Sequence, residues 1–178
     1  GLSVEQAQIK LYSVSMVGSN VLAAQTLSAP NGLGLLQGVS PGKHVVIVSK
    51  PGYKQTTSAE FQVNAGEKVS VSVTLVESSS KRKVFVKTLN NTNQLSLSGV
   101  SVSLFVQTVS GKYIAYDTFT TDTNGIVEEP LADFNGNTKL VVRHQNFVYA
   151  FLPNTGIVSE DASVPIPILL EPLQAANS

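Results

Sequence analysis

Asn31-Gly32 and Asn124-Gly125 stand 93 positions apart, and at the same separation Ile9 matches Val102, Leu11 matches Leu104 and Gly18 matches Gly111. A chain that writes one apolar and turn pattern twice has to solve one packing problem twice. Further along the spacing grows to 96, pairing Lys43 with Lys139 and Tyr53 with Tyr149. The second copy therefore carries a short insertion within EEPLADFNGN (128–137), placed where a surface loop tolerates extra residues. Two copies in 178 residues are each close to the usual size of a small domain. The repeat divides the chain into a first domain over 1–78 and a second over 79–178, joined through LVESSSKRKVF, whose three serines are too short to act as a free tether.

Both copies are patterned as strands. In KVSVSVTLV (68–76) the residues Val69, Val71, Val73 and Leu75 fall on one side and Ser70, Ser72 and Thr74 on the other. VSVSLFV (100–106) alternates in the same way, as expected for a sheet buried on one face. HVVIV (44–48) and KLVV (139–142) are continuous and β-branched, which predicts central strands covered on both sides. SAPNG (28–32) and TDTNG (121–125) supply turns, and VGSN (17–20) and VSGK (109–112) sit at matching hairpin positions. No stretch sustains a helical period. The predicted fold class is all-β, with two tandem Ig-like or transthyretin-like β-sandwiches.

An opening strand, then LSGVSVSLF (97–105), then TTDTNG (120–125), then a lysine-led valine strand resembles the carboxypeptidase regulatory-like domain. That domain is a transthyretin-like sandwich similar to the Cna-B-type modules of bacterial surface proteins. The resemblance covers most of 83–171. It extends more loosely over 5–77 through QTLSAPNG, GVSPGKHVVIVSKPGY and VSVTLVE. It implies a fold shared by stalks, adhesins, pilus subunits, receptor plugs and enzyme accessory domains, so function has to be argued from sites. Cna-B-type modules can join a lysine to an asparagine or aspartate. Lys10 and Lys87 lie in early strands, but VSVSVTLV and SVPIPILL carry neither acceptor, so that crosslink is not expected.

The two copies differ at one place. The second begins with KVFVKTL (83–89), and the equivalent of that strand in the first copy would fall ahead of residue 1. The first sandwich is therefore expected to lack its opening strand and to keep an unpaired edge and a partly open core. A strand from a neighbouring subunit would complete it. The alternatives are a chain cut from a longer array, or a first domain that closes with six strands and a covering loop. In SVPIPILLEP (163–172), Pro165 and Pro167 remove donors on one side of the last strand and mark it as an edge that opposes further pairing.

Charge and chemistry narrow the function classes. Twelve Lys and Arg balance twelve Asp and Glu, so there is no field to attract nucleic acid or an anionic membrane. The apolar runs are too short for a membrane span, and GLSVEQAQIK lacks the basic start and apolar core of a leader peptide. The absence of cysteine excludes disulfides and thiolate metal sites. The small charged fraction, offset by Ser, Thr, Asn and Gln, fits an extracellular or cell-surface location.

His44 and His144 are expected as half-exposed strand residues without ligand partners. The acidic residues Asp117, Asp122, Glu128, Glu129 and Asp133 gather around TTDTNG, but adjacent glutamates in a strand point to opposite faces. DTNG lacks the repeated acidic ligands of a calcium loop. No catalytic, cofactor or metal residue is assigned. Asn90 heads a glycosylation sequon, Asn90-Asn91-Thr92. Phe147, Tyr149 and Phe151 alternate and form a candidate ligand face, with sandwich core as the alternative.

The expectation is a non-enzymatic structural protein, the subunit or stalk of a surface filament or adhesin assembled by strand complementation. Its partners would be further copies of itself or neighbouring surface-protein domains. The alternative is a glycan- or protein-binding accessory module.

Overall fold

The computed structural model describes residues 2–15, 20–108, 111–134, 136–153 and 155–174. All regular structure among them is β. The chain separates into two compact units, the first made of residues 1–80 with 132–135 and the second of 81–131 with 136–178.

Unit 1 contains β1 (Gln8–Val14), β2 (Asn20–Leu27), β3 (Gly42–Ser49), β4 (Thr56–Thr57) and β5 (Phe61–Val63). They form one sheet in the order β2-β1-β3-β4, with β5 also on β3. The β-branched run of β3 is its centre, antiparallel to β1, and His44 to Ser49 are all buried, as the continuous apolar pattern predicts. Asp133 joins this unit through backbone bonds with Tyr53 and Gln55, and its carboxylate accepts from Ser78 Oγ at 2.6 Å.

Unit 2 contains β6 (Arg82–Asn90), β7 (Ser101–Gln107), β8 (Tyr113–Thr120), β9 (Ile126–Leu131), β10 (Thr138–Arg143), β11 (Ala150–Pro153), β12 (Ile157–Ser159) and β13 (Ile166–Leu170). One sheet runs β11-β10-β7-β8. The other is gathered around β6, which pairs with β9, β12 and β13. The two inner faces meet through Val84 and Val86 of β6, Val102 and Leu104 of β7, Leu140 and Val142 of β10, and Ile168 and Leu170 of β13. Burying each such side chain contributes about 1.5–3 kcal/mol. Gly156 is part of this packing, because a Cβ there would lie 2.6 Å from Val86 and 2.8 Å from Leu140. Among the strands of the described residues, the parallel strand β13 pairs with β6 alone, consistent with the edge that its prolines predict.

Four expectations need correction or fall outside the described residues. The segment 68–76, patterned as a strand, is not a strand: Val76 O accepts from Lys54 N at 2.9 Å and Thr74 O from Thr56 Oγ1 at 3.3 Å, but 68–73 enter no ladder among the described residues, although Val73 and Leu75 still pack inward. Its counterpart β13 is held by β6, and unit 1 has no equivalent of β6 among the described residues. An alternating pattern makes a strand only where a ladder partner exists. His44 is 1% exposed rather than half-exposed, because it lies within the buried centre of β3. His144 is half-buried but sits in the turn after β10. The predicted hairpins at 17–20 and 109–112 include residues outside the described set.

Candidate functional site

The most distinctive feature of unit 1 is a cavity of about 1020 Å³ over one face of its sheet. The register places Leu11 opposite Val46 and Ile9 opposite Val48, so these side chains share that face. With Ala7 they form the floor. One wall is the segment 33–38 and the other is 69–75, both without strand pairing. Leu36, Val73 and Leu75 pack down onto the floor. Gly34 lets its wall approach β1, since a Cβ there would lie 2.4 Å from Ile9 Cδ1.

These walls have the status of sheet strands without a sheet. Among the described residues, no backbone hydrogen bond is made by 34–38 or by 68–73 beyond the ladders already given. Unpaired N–H and C=O groups flanking an apolar floor form a template for an added strand.

Unit 2 displays the same site in a completed form, and the correspondence holds atom by atom. In unit 1 the Ser28 hydroxyl donates to Val4 O at 2.6 Å and accepts from Ala7 N at 2.9 Å. In unit 2 Thr121 donates to Leu97 O at 2.9 Å and accepts from Val100 N at 2.9 Å. Gln6 N bonds Ser28 O as Gly99 N bonds Thr121 O, and Gln6 and Gly99 both have positive φ, 58° and 70°. Each pair is separated by 93. On the same scale, Gly32 corresponds to Gly125 and Val4 to Leu97. In unit 2 those last two groups hold β6. Thr88 N donates to Gly125 O at 2.8 Å, Leu97 N donates to Thr88 O at 2.9 Å, and the Thr88 hydroxyl donates to Leu97 O at 2.8 Å. In unit 1, Val4 N and Gly32 O have no such bond among the described residues.

The residues singled out in the sequence lie elsewhere. Asp122 Oδ1 accepts from Asn124 N and Ile126 N, at 2.8 and 2.9 Å, and builds the Asn-Gly turn. Glu128 pairs with Lys83 at 2.6 Å. No group of three His, Asp or Glu suited to a metal occurs among the described residues. His44 stacks on Phe61, and its Nδ1 lies 3.0 Å from Gly42 O. Asn90 ends β6, and its side-chain oxygen accepts from Thr92 N at 2.8 Å.

Phe147, Tyr149 and Phe151 do not form one face. Phe147 is buried, bridging to Pro172 and meeting His144 edge-on, whereas Tyr149 and Phe151 are 53% and 63% exposed. Arg143 lies over the Tyr149 ring at 4.7 Å. Val4, Gly32 and Leu36 carry no chemical signature of their own. The signal that could have found them is their match, at the same spacing, to Leu97, Gly125 and Glu129.

No curated protein sequence matches the chain. Among solved structures it is similar to the shaft pilin SpaA of Lactobacillus rhamnosus GG, at 14% identity and a TM-score of 0.40, over 98% of this chain and 87–90% of that one. A streptococcal ancillary pilin gives 17% identity and a TM-score of 0.44, over 97% of this chain and 59% of that one. The minor pilin of Streptococcus agalactiae gives 13% and 0.37, over 100% and 87%. Residues 1–76, the copy whose second layer is unpaired, match the sequence model of the carboxypeptidase regulatory-like domain.

Proposed function

We propose that the protein is a non-enzymatic extracellular structural protein, the subunit or stalk of a cell-surface filament or adhesin. Its copies join head to tail when a strand from one enters the cavity of unit 1 in the next. The observation that carries this reading is the pair of walls, whose backbone over 34–38 and 69–73 makes no hydrogen bond among the described residues, over the apolar floor of Ile9, Leu11, Val46 and Val48. A joint between an acceptor groove and a different donating segment is heterologous, and such joints propagate into chains. Completing the sheet gains main-chain hydrogen bonds and covers apolar surface together.

The test is light scattering with negative-stain microscopy on the full chain over a range of concentrations, repeated with Val73→Lys. Chains that lengthen with concentration and are lost in the variant are expected. A monomer at every concentration overturns head-to-tail assembly.

A second reading has one observation in its favour. Tyr149 and Phe151 are exposed on unit 2 with Arg143 against the Tyr149 ring, and aromatic faces of this kind stack on sugars. Binding on a glycan array that falls at least about tenfold with Tyr149→Ala would support an accessory binding module, and an array without signal removes it.

A further inference from the structure

The proposed assembly leaves open what kind of strand unit 1 accepts. Resting on that reading, we infer that the donated strand has the chemistry of β6 and a fixed register. It carries small apolar residues at alternate positions followed by a threonine or serine. It runs antiparallel to 33–38 and parallel to 69–75, and its hydroxyl-bearing residue bonds Gly32 and Val4.

The volume of the cavity does not by itself decide the occupant, since about 1000 Å³ would also suit a small apolar ligand. The backbone decides it. A small apolar molecule would leave the N–H and C=O groups of both walls unpaired, whereas an extended peptide satisfies them.

Unit 2 supplies direction and register. β6 runs antiparallel to β9, with Phe85 opposite Glu128 and Lys87 opposite Ile126. It runs parallel to β13, with Val86 opposite Ile166 and Thr88 opposite Ile168. Its inward row, Val84, Val86 and Thr88, is fully buried. The counterparts of β9 and β13 in unit 1 are the two walls of the cavity.

The polar end of the cavity then fixes the position along the groove. A residue in the place of Thr88 donates its N–H to Gly32 O and accepts from Val4 N. Its hydroxyl reaches Val4 O, as Thr88 reaches Leu97 O. Two residues further on, the counterpart of Asn90 reaches Leu2 O, as Asn90 N bonds Leu95 O at 2.8 Å. A one-residue slip would turn the apolar row outward and break this set, so register is strongly specified.

The chain has no cysteine, so register can be read by single introduced thiols. Leu33 and Leu35 are both 69% exposed and correspond to Ile126 and Glu128. The full chain carrying Leu35→Cys or Leu33→Cys is refolded with an excess of the synthetic peptide of sequence Arg82–Asn90 carrying Phe85→Cys. Disulfide formation is then followed by intact mass. Reaction with Leu35→Cys at least about tenfold faster than with Leu33→Cys is expected, because only facing cysteines reach disulfide geometry. The preference should reverse for the peptide carrying Lys87→Cys. A peptide with Val84→Asp and Val86→Asp should lose the crosslink.

Equal reaction at both positions, or no crosslink at all, overturns the inference. Filaments together with equal crosslinking would leave the proposed assembly standing and remove this register. A peptide seated in register on a chain that never associates would do the reverse.

Discussion

A single hydroxyl does the same work in both units. Ser28 and Thr121 each tie the segment entering the first strand of a hairpin to the end of its partner, accepting from one backbone N–H and donating to one carbonyl. Thr121 is 4% exposed, so water cannot replace those bonds. Thr121→Val keeps the shape and leaves Val100 N–H and Leu97 O without this partner. The expected destabilisation is on the order of 2 kcal/mol. Thr121→Ser keeps both bonds and should cost less than half as much. Chemical denaturation monitored by the fluorescence of the unit 2 tyrosines checks both variants, and equal losses would show that packing, not the hydroxyl, carries the effect.

Strand existence was legible where the pattern and a ladder partner coincide. β3, β7 and β10 follow directly from HVVIV, VSVSLFV and KLVV, and the Asn-Gly turns follow from the positive φ of Gly32 and Gly125. The segment 68–76 has an equally clear alternation and is not a strand, because alternation reports which side is apolar and not whether a neighbour is present. The unequal opening of the two copies is matched by the absence, among the described residues of unit 1, of a strand equivalent to β6. The polar end of the cavity was not legible, since Val4 and Gly32 act through backbone atoms and any residue type carries those. Phe147, Tyr149 and Phe151 parted for a related reason. The chain leaves β10 through a turn at 144–146, so Phe147 meets Pro172 before β11 begins at Ala150. Spacing of two keeps residues on one face only within an unbroken strand.

In the whole molecule, unit 2 is a sandwich built around β6, whereas unit 1 shows no equivalent of that strand among the described residues. The fully buried residues of unit 2 include Val84, Val86, Val102, Leu104, Leu140 and Val142, whereas the core beneath the cavity of unit 1 is Ala7, Leu11, Val46 and Val48. Free walls of this kind exchange their amide protons through small local openings, while laddered strands are protected up to the stability of the unit. Segments 33–38 and 69–75 are strand-patterned positions without a ladder partner among the described residues. The most direct test of this assignment is amide hydrogen exchange, followed by mass spectrometry, on the full chain when dilute and after assembly or refolding with the Arg82–Asn90 peptide. Rapid exchange is expected over 34–38 and 68–73 in the dilute chain, with at least about tenfold slowing of both once a strand is supplied and β7 and β10 protected throughout. Walls already protected in the dilute monomer, or walls that stay fast in the assembled protein, would contradict it.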